Sequence, residues 1–406
     1  MTHAVSSDAL RWREPTPDAL DALEQRLAGL IAAYDGQGDH RSGTEVDHAS
    51  AQWLVDVARR LGVEAELEPF GLDRVDPLAS YLRIGDRRID GVPVFDAAFT
   101  GSDGLCGRLG RLGSDAEIAV VESEPFTLGE PRKEQSTAVA AARQSRHQAV
   151  VVLTRGSRPG LFLINALSFA KPSGPPMLQI SGAETAWLHQ QAEAGAPATL
   201  VTQAQRTATH AFNVTVRIAG RDPTLPPLVV MTSRSGWWQC ASERGGGLAC
   251  WLEAMRVLAA ARPLRDCLFV ACSGHELGFI GIDAYLATRP DLIRRAHCWI
   301  QLGANIGAPR QPNLVHASDD AAEQWAVAAM AREGLAVGAT ARRQSVPRGE
   351  AGAVHRGGGR YVALVCGTEL FHHAADRWPD AVDVTLVARY ARAFASGILQ
   401  LSERRE

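Results

Sequence analysis

The stretch that decides the fold runs from residue 225 to residue 303. It reads LPPLVVMTS at 225–233, GLACWLEAMRVLAAAR at 247–262, DCLFVACS at 266–273 and CWIQLG at 298–303. The run at 225–233 is short and almost wholly apolar, as in a strand buried on both faces of a parallel sheet. The segment at 247–262 has the length and apolar spacing of a helix. Such alternation predicts an α/β fold whose mixed, mostly parallel sheet is covered by helices on both faces.

The same pattern continues on both sides of this stretch. A further buried strand is expected at 361–367, which reads YVALVCG. Apolar spacing near 3.6 predicts helices at 17–34, 46–62 and 321–335, and a closing helix within 380–405. These segments extend the predicted α/β unit to both ends of the chain.

Residues 75–215 have a different pattern. They contain short apolar runs such as AVVVLT at 149–154, separated by Gly and Pro, with one short helix predicted around 137–144. We therefore predict an α/β domain formed by residues 1–74 and 216–406, with a β-rich domain inserted at 75–215. The chain of 406 residues is long enough for two such domains, at roughly 150 residues per domain.

The composition argues against several classes of function. The formal net charge is −3 and charged residues make up 21% of the chain, so no basic surface for nucleic acid or an anionic membrane is expected. Apolar runs are too short to predict a transmembrane helix. The N-terminus lacks the basic start and apolar core of a secretory signal. Seven cysteines, an odd number, favour buried free thiols and a cytoplasmic location.

Polar residues cluster where the predicted strands end. In sheets of this kind ligands bind beyond the carboxyl ends of the strands. That rule selects SRSGWW at 233–238, SGHELG at 273–278, GAN at 303–305 and FHHAAD at 371–376, together with SERGGG at 242–247, which opens a helix. We expect the functional site to be built from these segments.

Three residues of these segments form a candidate metal site. Glu243, Glu276 and His372 offer two carboxylates and an imidazole, and three such ligands with one open position suit a catalytic Zn²⁺. His275, next to Glu276, is a candidate general acid or base. The alternative for His275 is a structural imidazole that is hydrogen-bonded to a neighbouring carboxylate.

The same strand ends also allow a site without metal. Arg234 and Arg244 are placed to pair with the two carboxylates, because buried acids without a metal require cations. Arg234 is also a candidate catalytic residue and Arg244 a candidate substrate-binding residue. Ser235 or Ser233 is a candidate nucleophile that His275 would activate. No G-x-S-x-G motif supports that alternative.

Two aromatic residues and a glycine run complete the candidate site. Trp237 and Trp238 lie in a loop at the expected cleft, where they either line a substrate pocket or pack beneath the inserted domain. The run Gly245–Gly247 opens a helix without the Lys of a phosphate-binding loop. We expect it to allow close packing of helix and sheet, or to supply backbone N–H donors.

These segments resemble the co-catalytic zinc aminopeptidase family, metallopeptidase clan MH, whose relatives include glutamate carboxypeptidase II and the glutaminyl cyclases. Residues 242–258, SERGGGLACWLEAMRVL, are similar to the family's NDNASGVAALLEAARVL. SGHELGFIG at 273–281 is similar to GEELGLLG, and FHHAADRWPDAVD at 371–383 to HTxxDTxDxID. Residues 38–70 resemble the family's N-terminal segment. The resemblance implies that 75–215 is a protease-associated-like domain.

The chain departs from the family at the metal positions. The family's HxD after the first strand reads Ser233 and Ser235, and its Asp after the third strand reads Gly303. The bridging Asp reads Glu243, and the catalytic Glu reads His275. The resemblance therefore implies at most one zinc, held by the three candidate ligands as in the glutaminyl cyclases, and no second zinc.

The resemblance also selects between two neighbouring histidines. His372 is preferred to His373 as the ligand because Asp376 follows it by four residues, as in the family's ending. Glu350 falls near a family SDH segment, which implies contact with a substrate amine.

The expected function is hydrolysis of an amide or peptide-like bond in a small-molecule or short peptide-like substrate, with at most one zinc ion. One alternative is a non-catalytic relative that serves as a binding or interaction module. Another is a metal-free Ser/His hydrolase or a cyclase. The density of polar residues at the strand ends favours a repurposed site over an abandoned one.

Overall fold

A computed structural model describes residues 16–124, 136–341 and 345–405. The N-terminal residues 1–15, on which part of the targeting prediction rests, lie outside these ranges. Among the described residues the α-helices are Pro17–Asp35 (α1), Glu45–Arg60 (α2), Thr137–Arg143 (α3), Thr185–Glu193 (α4), Gly246–Ala261 (α5), Ile280–Ala287 (α6), Leu292–Arg295 (α7), Asp320–Arg332 (α8), Ala351–Arg356 (α9) and Val384–Ser402 (α10).

The strands form one continuous sheet. In the described part of the chain they are Ala65–Ile84 (β1), Arg87–Asp90 (β2), Val92–Pro93 (β3), Leu105–Arg111 (β4), Ile118–Glu122 (β5), Ala149–Thr154 (β6), Met177–Ser181 (β7), Pro197–Ile218 (β8), Leu228–Ser233 (β9), Cys267–Cys272 (β10), Cys298–Leu302 (β11), Asn313–Ala317 (β12), Ala339–Ala341 (β13) and Tyr361–Cys366 (β14). Their order is β13-β12-β14-β11-β9-β10-β8-β4-β5-β6-β7-β3, and β1 pairs with β2 and β8.

The centre of the sheet confirms the predicted parallel strands. β14, β11, β9 and β10 lie side by side and are parallel, with Val230 of β9 opposite both Ile300 of β11 and Phe269 of β10. All six residues of β9 are buried, as expected for a strand covered on both faces. β8 and β12 are antiparallel to their neighbours, so the sheet is mixed.

Helices cover both faces of this central region. Val230 points into a core that also contains side chains of α1, α2, α5, α8 and α10. Val229 and Met231, on the opposite face, pack with side chains of α6, α7 and α9. Because successive side chains in a strand point to opposite faces, one apolar strand contributes to both cores. The predicted two-sided α/β architecture is confirmed.

The segment predicted as an insertion is β-rich and has apolar clusters of its own. β4, β5, β6 and β7 are parallel, and α3 lies close to the predicted helix around 137–144. Alternate residues of β6 pack into two different clusters, one on each face. The long strands β1 and β8 pair antiparallel from Ala65–Val216 to Arg83–Thr199. Both predicted domain boundaries fall inside these two strands, so the domain division stays a prediction.

The described helices were compared with the length and hydropathy that a membrane span requires. None of the helices in the ranges given above is long and apolar enough to span a lipid bilayer.

The seven cysteines are free thiols, and all but the exposed Cys106 are buried. Burial of these thiols agrees with their positions in apolar runs.

Candidate functional site

The candidate site lies where β9, β10 and β14 end. Ser233 is the last residue of β9, and His275 follows β10 in the loop before α6. A π-helical turn at 241–245 carries Glu243 directly before α5. Such turns occur often at functional sites. His372 lies in the loop after β14 and has a left-handed φ of 61°.

His275 is held by the Glu350 carboxylate. Its Nδ1 lies 2.9 Å from Oε1 of Glu350, which also accepts a hydrogen bond of 2.8 Å from Oγ of Ser233. Burial alone would raise the pKa of Glu350, but His275 and Arg244 lower it to about 2. Glu350 is therefore ionised at neutral pH, and the Nδ1 that faces it carries the hydrogen.

The opposite ring nitrogen of His275 remains available. Among the described residues Nε2 has no hydrogen-bond partner, and 9% of the side chain is exposed. An imidazole whose Nδ1–H is fixed by a carboxylate presents a lone pair at Nε2, the arrangement of a general base. Ser233 lies 3.1 Å from Nδ1, on the same side as Glu350. It therefore does not occupy the nucleophile position of a Ser–His–acid triad, which is at Nε2.

Glu276 has both carboxylate oxygens engaged by serines. Oε1 accepts hydrogen bonds from N and Oγ of Ser42, at 2.8 and 2.7 Å, and Oε2 accepts one of 2.7 Å from Oγ of Ser235. Oγ of Ser235 also accepts from the backbone N–H of His275 at 3.2 Å. The Ser235 hydroxyl thus links Glu276 to the loop of His275, and its proton points to a carboxylate and not to an imidazole.

Glu243 is paired with the next residue in the chain. Its Oε1 lies 2.7 Å from Nη2 of Arg244, and both side chains are 1% exposed. Burial alone would raise the pKa of Glu243, but Arg244, His372 and His275 lower it. Asp376 accepts hydrogen bonds from the backbone N–H of Ser242 and of Glu243, which fixes the turn. Burial raises the pKa of Asp376 to about 7.

His372, and not His373, faces Glu243. Its Nδ1 lies 2.6 Å from the carbonyl oxygen of Leu163, and its Nε2 lies 3.6 Å from Oε1 of Glu243. Burial lowers the pKa of His372 to about 4, although Glu243 acts in the opposite direction. The His373 ring packs instead against Phe162. The histidine chosen from the sequence is therefore the one that lies beside Glu243.

Arg234 is not brought into this cluster. Its guanidinium donates to the carbonyl oxygens of Asp47 and Phe212 and lies 3.0 Å from Oδ1 of Asp47. The Arg234 side chain is wholly buried. These partners hold it beneath α2, so its geometry does not support the catalytic role considered from the sequence.

The two tryptophans flank the site in different ways. Trp237 is buried, packs edge-on against Phe95, and donates from Nε1 to Oδ1 of Asn165 at 3.2 Å. These contacts match the packing alternative. Trp238 is partly buried and donates from Nε1 to the carbonyl oxygen of His372 at 2.9 Å. Trp238 therefore supports the backbone of the site.

The three predicted metal ligands do not form a three-ligand site. Both oxygens of Glu276 are engaged by serines, and the Arg244 guanidinium lies against the carboxylate of Glu243. In the described ranges no group of three or more His, Cys, Asp or Glu side chains is placed to hold a metal ion. A cation that belongs to the chain would also repel a metal ion at this carboxylate. The residues present therefore do not fit a catalytic zinc.

Two residues of the site were missed from the sequence. Ser42 binds Glu276, and Gln301 donates to Oε2 of Glu350 while its Oε1 accepts from the N–H of Ala351 at 2.6 Å. Gln301 gave a signal, because it is the one polar side chain in the apolar run at 298–302. Ser42 gave a weaker one, since it lies in a polar turn whose position in the fold was unknown.

Solved structures with the same fold are peptidases. A zinc aminopeptidase from Bacillus subtilis superposes with a TM-score of 0.77 at 18% sequence identity, covering 97% of each chain. An aminopeptidase from Aneurinibacillus sp. strain AM-1 gives 0.72 at 17% identity, with 94% of this chain and 95% of that chain covered. A peptidase M28 precursor from Shewanella amazonensis gives 0.73 at 15%, with 96% and 97% covered.

The likeness extends over nearly the whole chain but is confined to structure. Neither a protein-family model nor a curated protein matches the sequence. At identities of 15–18% the superpositions establish the fold and leave the chemistry to the residues of the site. The resemblance drawn from the sequence motifs is confirmed at this level, and the chain has the fold of the zinc aminopeptidases.

Proposed function

We propose that the protein is a hydrolase that cleaves an amide or peptide-like bond in a small substrate without a metal ion in the site. The observation that carries this proposal is the His275–Glu350 pair, with 2.9 Å between Nδ1 and Oε1 and the opposite nitrogen available. Many hydrolases use as general base an imidazole that has a carboxylate at one ring nitrogen and an available lone pair at the other.

In this proposal His275 removes a proton from a water molecule and later gives it to the leaving nitrogen. Glu350 holds the ring in the required tautomer and stabilises the imidazolium that forms. The Arg244 guanidinium, which lies against Glu243, supplies the positive charge for the oxyanion of the tetrahedral intermediate. Ser235 and Glu276 fix the His275 backbone and take no part in proton transfer.

The substrate class is taken from the fold. The solved structures with the same fold include enzymes named as aminopeptidases, so short peptides and aminoacyl amides are the first substrates to test. A protease-associated-like role for 75–215 and a cytoplasmic location belong to the same proposal.

The test is a hydrolysis screen of the purified protein against aminoacyl p-nitroanilides and dipeptides, with and without a chelator. We expect turnover that a chelator leaves unchanged and that His275→Ala reduces at least about a hundredfold, the usual contribution of a general base. His189→Ala, in α4 and about one-third exposed, is the matched control and should retain activity. Turnover that requires zinc, or that survives in His275→Ala, would reject the proposal.

One observation favours a second candidate, a non-catalytic binding module. The side chains of His275 and His372 are each only 9% exposed, and those of Glu243 and Arg244 are 1% exposed. A site so nearly closed admits substrate only if a neighbouring segment moves. Absence of turnover over the whole panel, in protein shown to be folded by circular dichroism, would favour this candidate.

A further inference from the structure

Three buried polar atoms lie close together without forming hydrogen bonds to one another, near enough to His275 for its ring to interact electrostatically with Glu243 and His372. They are Oε1 of Glu243, Nη2 of Arg244 and Nε2 of His372, and none has a hydrogen-bond partner among the described residues. Oε1 lies 2.7 Å from Nη2, but without the alignment of a hydrogen bond, and 3.6 Å from Nε2. Buried polar atoms are almost always paired, so three unpaired atoms in one place indicate a missing partner.

The hydrogen-bonding character of each atom follows from its surroundings. Nδ1 of His372 lies 2.6 Å from the carbonyl oxygen of Leu163, and a carbonyl only accepts, so the hydrogen is on Nδ1 and Nε2 presents a lone pair. Glu243 is held ionised by the adjacent Arg244 guanidinium, so its Oε1 accepts. Nη2 of Arg244 only donates. The missing partner must therefore offer two donors and one acceptor.

The charges of Glu243 and Arg244 disfavour a charged ligand at the three atoms. Glu243 and Arg244 already cancel, so a charged ligand would be buried beside a like charge: an ammonium beside Arg244, or a carboxylate beside Glu243. A secondary amide has a single N–H and leaves one of the two acceptors unpaired. A water molecule and a primary carboxamide are both neutral, and each offers two donors and an acceptor. The carboxamide of a substrate would take the place of such a water molecule at the three atoms.

We propose that this three-atom site binds the primary carboxamide of a small substrate, with the NH₂ group on Glu243 and His372 and the carbonyl oxygen on Arg244. This inference rests on the proposed function and specifies its substrate. The carboxamide C–N bond breaks and a C–O bond to water forms. His275 takes one proton from the water and delivers it to the leaving nitrogen, so ammonia leaves a carboxylic acid. At neutral pH the acid loses its proton and ammonia gains one, which gives a carboxylate and ammonium.

Binding is tested separately from turnover with the His275→Ala variant, which keeps the three-atom site and lacks the base. The probes are N-acetyl amino-acid amides with several side chains, each beside its N-methylamide and its free acid, measured by isothermal titration calorimetry. We expect the primary amide to bind about tenfold more tightly than either analogue, the effect of about one hydrogen bond. Equal binding by amide and N-methylamide, or no binding by any primary amide, would overturn the inference.

The role of His372 is tested with His372→Asn. Asparagine tolerates the left-handed φ of 61° at this position, and its side-chain amide can donate to Leu163 in place of Nδ1. It has no atom at the position of Nε2. In this variant we expect the preference for primary amide over N-methylamide to disappear, while the adjacent control His373→Asn keeps it. A preference that persists in His372→Asn would reject the site.

The two proposals fail in different ways. Primary-amide binding without ammonia release by the wild-type protein would contradict the hydrolase and support the binding site. Turnover of p-nitroanilides or dipeptides without any preference for primary amides would contradict the site and support the hydrolase.

Discussion

The Arg244 guanidinium and the Glu243 carboxylate lie 2.7 Å apart with both side chains 1% exposed. Arg244 is further held by hydrogen bonds from Nε to the carbonyl oxygen of Ser235 and from Nη1 to that of Glu243. A buried ion pair adds little net stability, because desolvation of the two charges offsets their attraction. Loss of one partner is costly, because the other charge is then buried alone.

Arg244→Met tests this pairing. We expect the free energy of unfolding to fall by about 3–5 kcal/mol, the usual cost of an uncompensated buried charge. The double variant Glu243→Gln with Arg244→Met should lose less than Arg244→Met alone, because no charge remains buried. Urea denaturation of both variants and the wild type measures the difference. A double variant less stable than Arg244→Met would contradict the pairing.

His40 makes stability depend on pH. Burial lowers the pKa of His40 to about 3, although its contact with the carbonyl oxygen of Trp238 acts in the opposite direction. Between this value and the unperturbed value of 6.5 the unfolded chain binds more protons than the folded chain. The contribution of His40 to stability is therefore complete above pH 6.5 and is lost progressively as the pH falls towards 3.

His40→Phe keeps an aromatic ring against Tyr34, whose ring is stacked 3.7 Å from that of His40, and removes the titration. We expect the loss of unfolding free energy between pH 7.5 and pH 4.5 to be smaller in His40→Phe than in the wild type. His210→Phe, at an exposed position of β8, should keep the wild-type slope. Equal slopes in His40→Phe and the wild type would contradict this account.

Side-chain identity at the strand ends was predictable, but side-chain direction was not. His275, Glu243 and His372 come together because each follows a parallel strand or opens a helix at the same sheet edge. Arg234 lies between Ser233 and Ser235 in sequence, yet its side chain leaves the site for Asp47. Successive residues of extended chain point to opposite sides, and the Asp47 partner on α2 is distant in sequence.

The start of α5 depends on close approach of helix and loop. An added Cβ at Gly246 would lie 1.8 Å from the carbonyl oxygen of Ile306, and one at Gly247 would lie 2.9 Å from that of Gly303. Both contacts are with backbone, which has little freedom to move. This confirms the prediction that the glycine run allows close packing, and the turn that carries Glu243 is held in place by it.

Two substitutions of the same kind should have opposite effects. Gly246→Ala should destabilise the protein by at least about 2 kcal/mol, because the added carbon overlaps backbone in a packed interior. Gly29 lies at an exposed position of α1, with open space where a Cβ would be added. Gly29→Ala should therefore stabilise the protein by up to about 1 kcal/mol, because Ala has the higher helix propensity. Thermal unfolding of each variant measures both changes. A stabilising Gly246→Ala would contradict the packing argument.

The elements that were predicted well are those whose burial is uniform. β9, β10, β11 and β14 are apolar runs covered on both faces, and the sequence shows this directly. β12 was missed because NLVHA at 313–317 is only five residues long and has a buried Asn and His. The length of β1 was also missed, since its second half contains Pro77 and has no regular alternation of buried and exposed residues.

At the scale of the whole molecule, four buried carboxylates among the described residues have partners that the chain itself supplies. Asp47 pairs with Arg234, Glu243 with Arg244 and Glu350 with His275, while Glu276 is bound by serines. The fold of the zinc aminopeptidases is thus stabilised here by groups that the chain itself supplies. Sequence similarity to metal-binding motifs predicted the architecture correctly. It could not decide whether a metal ion or Arg244 pairs with Glu243, because that depends on where the guanidinium lies in the folded chain.

Thermal unfolding with a chelator and with added zinc tests this conclusion. We expect the same melting temperature in either condition as in buffer alone, because an ion that does not bind the folded protein cannot stabilise it. Calorimetry and elemental analysis of the purified protein provide the measurement. A melting temperature that rises with zinc concentration, and no longer does so in Glu276→Gln, would show that Glu276 helps to hold a metal ion.

In the proposed carboxamide site, the hydrogen bond from His372 to the Leu163 carbonyl would give the β-rich segment an influence on substrate binding. Leu163 belongs to the segment predicted as an insertion, and its carbonyl alone fixes which nitrogen of His372 carries the proton. If that carbonyl were withdrawn, the proton could move to Nε2 and an acceptor would become a donor. The carboxamide NH₂ group would then lose one of its two acceptors, so a displacement of Leu163 would weaken binding of the substrate.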